Sequence, residues 1–327
     1  MFSRLAMLLL CAVAPIPAPA VTRQPAATPA PSPVTITDPV VLPAEDGQRA
    51  LLVRVTSPAS PRGRLPVILF SHGAALSRGQ YAPLIEYWAR HGYVVLQPDH
   101  EDGLIDGFPP PVAPSPDLWR TRIVDMQRLA RALPAVARAV PGLRGHLDAS
   151  RIFAAGHSFG GHTIAALMGA RVWNDRLHAY EAFDTRAIKG AVLLSPPGAG
   201  GADLSEAFRA KGGYLTVDWS AMRGPMLIVV GSDDESKALT TRDADWHADP
   251  YRRSLARNLC LVTLTGAKHY LGGIVDPRRT GAEDASPARL AAVRTSSLAL
   301  FEAASRDAAL SPPLFAPLGT AGTIACR

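Results

Sequence analysis

Arg151-Ile152-Phe153-Ala154-Ala155-Gly156-His157-Ser158-Phe159-Gly160-Gly161 is the stretch on which the reading of this chain turns. Its first five residues form a β-prone run, and the glycines that follow interrupt it. A G-x-S-x-G placed directly after a strand and before a helix predicts a sharp turn with Ser158 at its apex. Glycines on both sides let neighbouring backbone approach the serine. The helix expected from Phe159 onward turns its unpaired N–H groups and the positive end of its dipole toward any anion formed at Ser158. These residue types point to nucleophilic chemistry on the hydroxyl.

A serine at its ordinary pKa needs a base, and after such a turn the order is serine, acid, histidine. Of nine histidines, His162, His178, His247 and His269 follow Ser158. His269 stands in Thr265-Gly266-Ala267-Lys268-His269-Tyr270, just beyond the apolar run Leu259 to Leu264, where a strand edge would present a base. His247 follows no predicted strand and reads as surface or rim. The acid should end the preceding strand, where Met226 to Gly231 runs into Ser232-Asp233-Asp234-Glu235. One of these three carboxylates can turn inward to hold an imidazole tautomer. The three-residue spacing from Gly231 favours Asp234, with Asp233 and Glu235 as alternatives. The oxyanion donors expected are the Phe159 amide and the Ala74 amide, in the loop Ser71-His72-Gly73-Ala74 after the apolar run Pro66 to Phe70. His72 reads as a structural hydrogen-bonding residue. Asp99-His100-Glu101-Asp102 has the composition of a metal site, but consecutive side chains diverge, so a rim or surface role is expected and no metal or cofactor is implied.

Further outward, Val34-Thr35-Ile36 and Leu51 to Val55 read as early antiparallel strands, and Tyr81 to His91 as a helix. Pro66 to Phe70 suits a buried central strand, Tyr93 to Leu96 reads as another strand, and a helix from Asp117 is kinked or ended at Pro134. With Ala191 to Leu194, Met226 to Val230 and Leu259 to Leu264, the pattern is a doubly wound, mostly parallel α/β sheet flanked by helices. Met1 to Ala20 reads as a signal peptide and residues 21–33 as a Pro/Ala-rich linker, leaving 34–327 as a single catalytic domain. The expected location is exported, periplasmic or secreted, with lipid attachment at Cys11 as the alternative. Export would leave Cys260 and Cys326 as an even pair suited to a disulfide. The net charge of +6 is spread along the chain without basic runs and interleaved aromatics, which argues against nucleic acid as a partner. No stable membrane insertion is expected after signal cleavage, and oligomeric state is left open.

Ser71-His72-Gly73-Ala74, Gly92-Tyr93-Val94-Val95, Pro98 to Gly103, Gly156 to Gly161 and Gly266 to His269 together resemble the α/β-hydrolase branch of platelet-activating-factor acetylhydrolases and dienelactone hydrolases, and more distantly secreted polyester hydrolases. That resemblance implies an α/β-hydrolase fold with Ser158, Asp234 and His269 as triad and Ala74 and Phe159 as oxyanion donors. Dienelactone hydrolases carry a cysteine where Ser158 stands. The expectation is a serine carboxylic-ester hydrolase acting on small or lipid-like esters through an acyl-enzyme. A polyester or cutin-like hydrolase and a non-catalytic binding module are the alternatives.

Overall fold

Period-two alternation within the apolar strands decides how the molecule is layered. The computed structural model describes residues 33–45, 47–104, 115–183, 186–280, 283–315 and 318–327. The signal peptide, Cys11 and most of the linker lie outside the described residues, as do residues 105–114 between Pro98 and the helix from Asp117. The strands are β1 (Val34–Leu42), β2 (Leu51–Pro58), β3 (Leu65–Ser71), β4 (Val94–Pro98), β5 (Leu147–His157), β6 (Arg171–Asn174), β7 (Ala179–Glu181), β8 (Ile188–Leu194), β9 (Val217–Asp218), β10 (Met226–Gly231), β11 (Leu259–Leu264) and β12 (Gly322–Cys326). The helices are α1 (Ala82–Arg90), α2 (Leu118–Arg131), α3 (Leu133–Ala139), α4 (Phe159–Leu167), the short α5 (Glu206–Arg209), α6 (Asp249–Arg253) and α7 (Pro277–Thr280), and the long α8 (Pro287–Ser305).

Nine strands form one sheet in the order β1-β2-β4-β3-β5-β8-β10-β11-β12. The run from β4 to β11 is parallel, and β1, β2 and β12 are antiparallel additions at the two edges. This is the doubly wound α/β sheet read from the apolar runs. Val67, Leu69, Ala154, Leu193 and Ile228 face one side, against Ile123, Met126 and Leu129 of α2, Val136 of α3 and Ile164 of α4. Ile68, Phe70, Phe153, Val192 and Val229 face the other, against Leu84 and Trp88 of α1 and Val293, Leu300 and Phe301 of α8. Strands buried on both faces lose their polar alternation, which explains their unbroken apolar sequence. Pro134 lies in the first turn of α3, so of the two expectations the helix from Asp117 ends rather than kinks: α2 stops at Arg131 and α3 begins at Leu133. The small antiparallel sheet β7-β6-β9 was not foreseen. Its strands have two to four residues, too few to show a period.

Cys260 and Cys326 are disulfide-bonded, 66 residues apart in sequence. They pair across β11 and β12, so the bridge fastens the last strand to the one that leads toward His269. Closing a loop of this length in the unfolded chain adds about 4 kcal/mol to stability in the chain-entropy account. Among the described residues, no helix is long and apolar enough to cross a membrane.

Candidate active site

Ser158 occupies the single residue between β5 and α4, with φ 53° and ψ −120°. Side-chain-bearing residues enter this region only where the surroundings over-determine it. Here its N–H donates to the Leu194 carbonyl at the end of β8, 2.8 Å away. The turn also crosses β3 so closely that a Cβ on Gly160 would collide with the Ser71 carbonyl, and one on Gly156 with the Gly160 carbonyl. Both glycines of the motif are steric requirements of the turn. The half-exposed Ser158 side chain makes no capping bond to α4.

Asp234 and His269 follow β10 and β11, neighbouring parallel strands whose ends present their loops side by side. His269 Nδ1 donates to Asp234 Oδ1 at 2.9 Å, with Oδ2 at 3.1 Å. Asp234 is buried, whereas Asp233 is exposed and accepts from the Ser232 hydroxyl, and Glu235 is exposed. Burial alone would push the Asp234 carboxyl up, but hydrogen bonds from His247 and His269, and the charge of both rings, hold it well below the usual range. The loop holding His269 is braced by the buried Asp284, which accepts from the Lys268 amide at 2.9 Å and the Gly272 amide at 3.2 Å.

His247 departs from its reading as a surface or rim residue. It is buried, its Nδ1–H donates to the Pro196 carbonyl at 2.8 Å, and its Nε2 lies 3.0 Å from Ser236 Oγ and 3.3 Å from Asp234 Oδ1. A 3-10 turn over Ala244–Ala248 carries it inward beside the fully buried Trp246. Short 3-10 turns leave no apolar period to reveal this. Asp234, His247 and His269 offer three ligand-type atoms within 4.8 Å of one another. With Nδ1 of His269 protonated toward Asp234, that nitrogen has no lone pair for a metal, and the arrangement suits proton handling better than metal ligation.

His157, beside Ser158, ties the parts together. Its Nε2–H donates to the His269 carbonyl at 2.9 Å. Its Nδ1 accepts from the Tyr81 hydroxyl at 2.9 Å, and the Tyr81 oxygen accepts from the Gly73 amide at 2.9 Å. One chain of hydrogen bonds thus runs from the loop holding Ala74, under the serine turn, to the loop holding His269. Ala74 is exposed at the bend of its loop, and the Phe159 amide begins α4, where helix geometry provides no acceptor.

The polar run after β4 is also corrected: His100 and Asp102 are buried, not on a rim or surface. As expected, the four side chains diverge. Asp99 accepts from the Arg78 amide at 2.8 Å, and Glu101 from the Ser115 amide at 2.9 Å. His100 Nδ1 donates to Asp125 at 2.9 Å and its Nε2 accepts from the Ser71 hydroxyl at 2.9 Å. Asp102 pairs with Arg122. His72 is the structural residue expected, with Nδ1–H on the Gly73 carbonyl at 2.7 Å and Nε2 accepting from the His100 amide at 3.1 Å.

Buried histidines predict that stability falls in acid. Burial, with the nearby His269 charge, pushes His157 down to about 3, and burial pushes His162 down to about 4, against an ordinary 6.5. A depressed folded-state pKa means that the unfolded chain takes up protons first, so stability is full above pH 6.5 and is lost as pH falls toward 4 and then 3. The urea midpoint is therefore expected to be clearly lower at pH 5 than at pH 7.5. Equal midpoints would show that these histidines do not need to stay neutral.

Over residues 41–178 the sequence matches the chlorophyllase family, a span that contains Ala74 and Ser158 but neither Asp234 nor His269. It is 31% identical over 115 residues to chlorophyllase-1, chloroplastic, of Citrus unshiu, covering 35% of this chain and 31% of that protein. It is 33% identical over 111 residues to chlorophyllase type 0 of Chenopodium album, covering 32% of this chain and 29% of that protein. The chain thus spans less than a third of the length of these curated relatives. Its fold matches the solved structure of a Klebsiella pneumoniae protein described as a candidate dienelactone hydrolase, with a TM-score of 0.54 and 15% identity, covering 83% of this chain and 99% of that one. Together with the sheet order, these likenesses show an α/β-hydrolase fold. The chlorophyllase likeness was not anticipated from the sequence.

Proposed function

We propose that this chain is a serine carboxylic-ester hydrolase, working without a metal through an acyl-enzyme on small or lipid-like esters. The observation that carries the reading is the buried Asp234 carboxylate holding His269 Nδ1–H at 2.9 Å, in a loop bonded to the residue beside the strained Ser158. In the proposed cycle, Ser158 Oγ attacks the ester carbonyl while His269 Nε2 takes its proton. The Ala74 and Phe159 amides stabilise the oxyanion, and collapse expels the alcohol with the proton returned from His269. Water, deprotonated by the same nitrogen, then cleaves the acyl-serine to release the acid and restore the hydroxyl. Asp234 keeps His269 in the tautomer that leaves Nε2 free and stabilises the imidazolium between the two transfers.

The test is hydrolysis of nitrophenyl esters of graded acyl length, with chlorophyll and a polyester film as further substrates. The expected result is a burst of nitrophenol equal to the enzyme present, abolished by a fluorophosphonate that labels Ser158. No hydrolysis of any ester by folded protein, with Ser158 unlabelled, would leave a binding module as the better account.

A further inference from the structure

We infer that Arg122, held by Asp102, is the positioning residue of the oxyanion site: it aims the Ala74 N–H and seats Phe159, without touching substrate. The inference rests on the ester-hydrolase reading above.

Arg122 projects from α2 and has no solvent exposure. A guanidinium in the core is tolerated only when its donors are matched by acceptors. Here Nε and one terminal nitrogen meet Asp102 at 2.9–3.0 Å. The other terminal nitrogen donates to the His72 carbonyl at 2.7 Å, and the Gly73 carbonyl lies 3.2 Å from the first. The cation therefore grips two successive carbonyls of the loop that carries Ala74. In a planar trans peptide the Gly73 C=O and the Ala74 N–H point in opposite directions. Fixing the Gly73 oxygen between Arg122 and His72 Nδ1–H therefore fixes where the Ala74 N–H points. Donors on that oxygen, one of them charged, also polarise the same amide and strengthen its N–H as a donor.

The neighbouring amides are spoken for. Gly73 N–H donates to the Tyr81 hydroxyl at 2.9 Å, and Ala75 N–H, on a residue with φ 52°, donates to Asp102 Oδ2 at 3.3 Å. Of the three, Ala74 is the amide left without a protein acceptor among the described residues. On the other side, the Arg122 guanidinium lies over the Phe159 ring, 4.6 Å from its centroid. Phe159 supplies the second amide, so one buried cation indexes both halves of the proposed hole. A core that needed only filling would place an apolar residue at 122, because a buried ion pair contributes little net stability compared with such a replacement.

The experiment compares Arg122→Lys and Arg122→Met with wild type in the full chain, using nitrophenyl butyrate. kcat is expressed per active site titrated by the acylation burst. The second readout is the inhibition constant of a trifluoromethyl ketone, whose adduct with Ser158 carries a tetrahedral oxyanion. Misaiming one donor is expected to lower kcat by about 10–100-fold, with KM changed by no more than about threefold. The ketone should weaken in parallel. Lysine, a point donor, cannot span Asp102 and both carbonyls, so Arg122→Lys should keep the fold and titratable sites without recovering the rate. If Arg122→Met does not fold, Arg122→Lys decides alone. Wild-type kcat per titrated site, or a kcat loss with unchanged ketone affinity, would overturn the inference. Failure of the ester-hydrolase reading is told apart because wild type would then show no burst.

Discussion

Ser158→Ala is expected to lower ester hydrolysis by about 10³–10⁶-fold, since members of a nucleophile–base unit act together and losing one loses most of what the unit contributes. The protein should remain folded. Ser158 has positive φ and makes no capping bond, so alanine inherits the backbone strain and forfeits no structural hydrogen bond. The melting temperature should stay within a few degrees of wild type, by the usual scale for substitutions that break no packing or buried bond. Adding His269→Ala to Ser158→Ala should cost little more, because the base has nothing left to activate. Measurement requires initial rates with a nitrophenyl ester at enzyme concentrations high enough to read the residual rate, beside circular dichroism. A Ser158→Ala protein hydrolysing at close to the wild-type rate would remove the mechanism altogether.

What the sequence made legible was mostly local. The turn around Ser158 could be read because its requirements lie within a few residues: a strand, two glycines without room for a Cβ and a helix start. The parallel sheet could be read because strands buried on both faces are written as unbroken apolar runs. Parity of the cysteines pointed to the bridge between Cys260 and Cys326. By contrast, the parts that hold the site together join residues far apart in the chain. Tyr81, His157 and the His269 loop are linked across the sheet, and no spacing rule encodes that. A partial signal did exist for Arg122. Arg122, Asp125 and Arg128 recur every three residues in α2 and are buried among Ile123, Met126 and Leu129. Charges on the apolar side of an amphipathic helix require partners, and these are Asp102 for Arg122, Arg49 and His100 for Asp125, and the carbonyls of Arg49 and Pro43 with Glu45 for Arg128. The polar run Asp99 to Asp102 reads as rim or surface because consecutive side chains diverge, and divergence says nothing of which of them turn inward. In the fold, two of its members are the inward partners that α2 and β3 need.

The same distinction between local pattern and burial sets the second large effect. Asp233 and Asp234 are adjacent and chemically alike, yet they lie in different surroundings. Asp234 is 1% exposed and meets both His269 and His247, while Asp233 is exposed and bonded to Ser232. Asp234→Asn removes the charge that, in the proposed cycle, stabilises the imidazolium during both proton transfers. It also offers His269 Nδ1 an amide that can present N–H in place of an acceptor, which drives the ring toward the tautomer with its proton on Nε2. Loss of charge and wrong tautomer together are expected to lower kcat by about 10²–10⁴-fold. Asp233→Asn should change it by less than about twofold, as a surface substitution outside any buried network does. KM should be nearly unchanged in both, because neither carboxylate is proposed to contact the ester. The buried amide of Asp234→Asn also loses part of the charge-assisted bonding to His247, so a lower melting temperature should accompany the slower rate, whereas Asp233→Asn should melt like wild type. Purifying the two variants side by side and measuring kcat on one nitrophenyl ester decides the assignment. A large loss in Asp233→Asn with near-normal Asp234→Asn would mean that the loop after β10 turns the other carboxylate toward the base when the enzyme works.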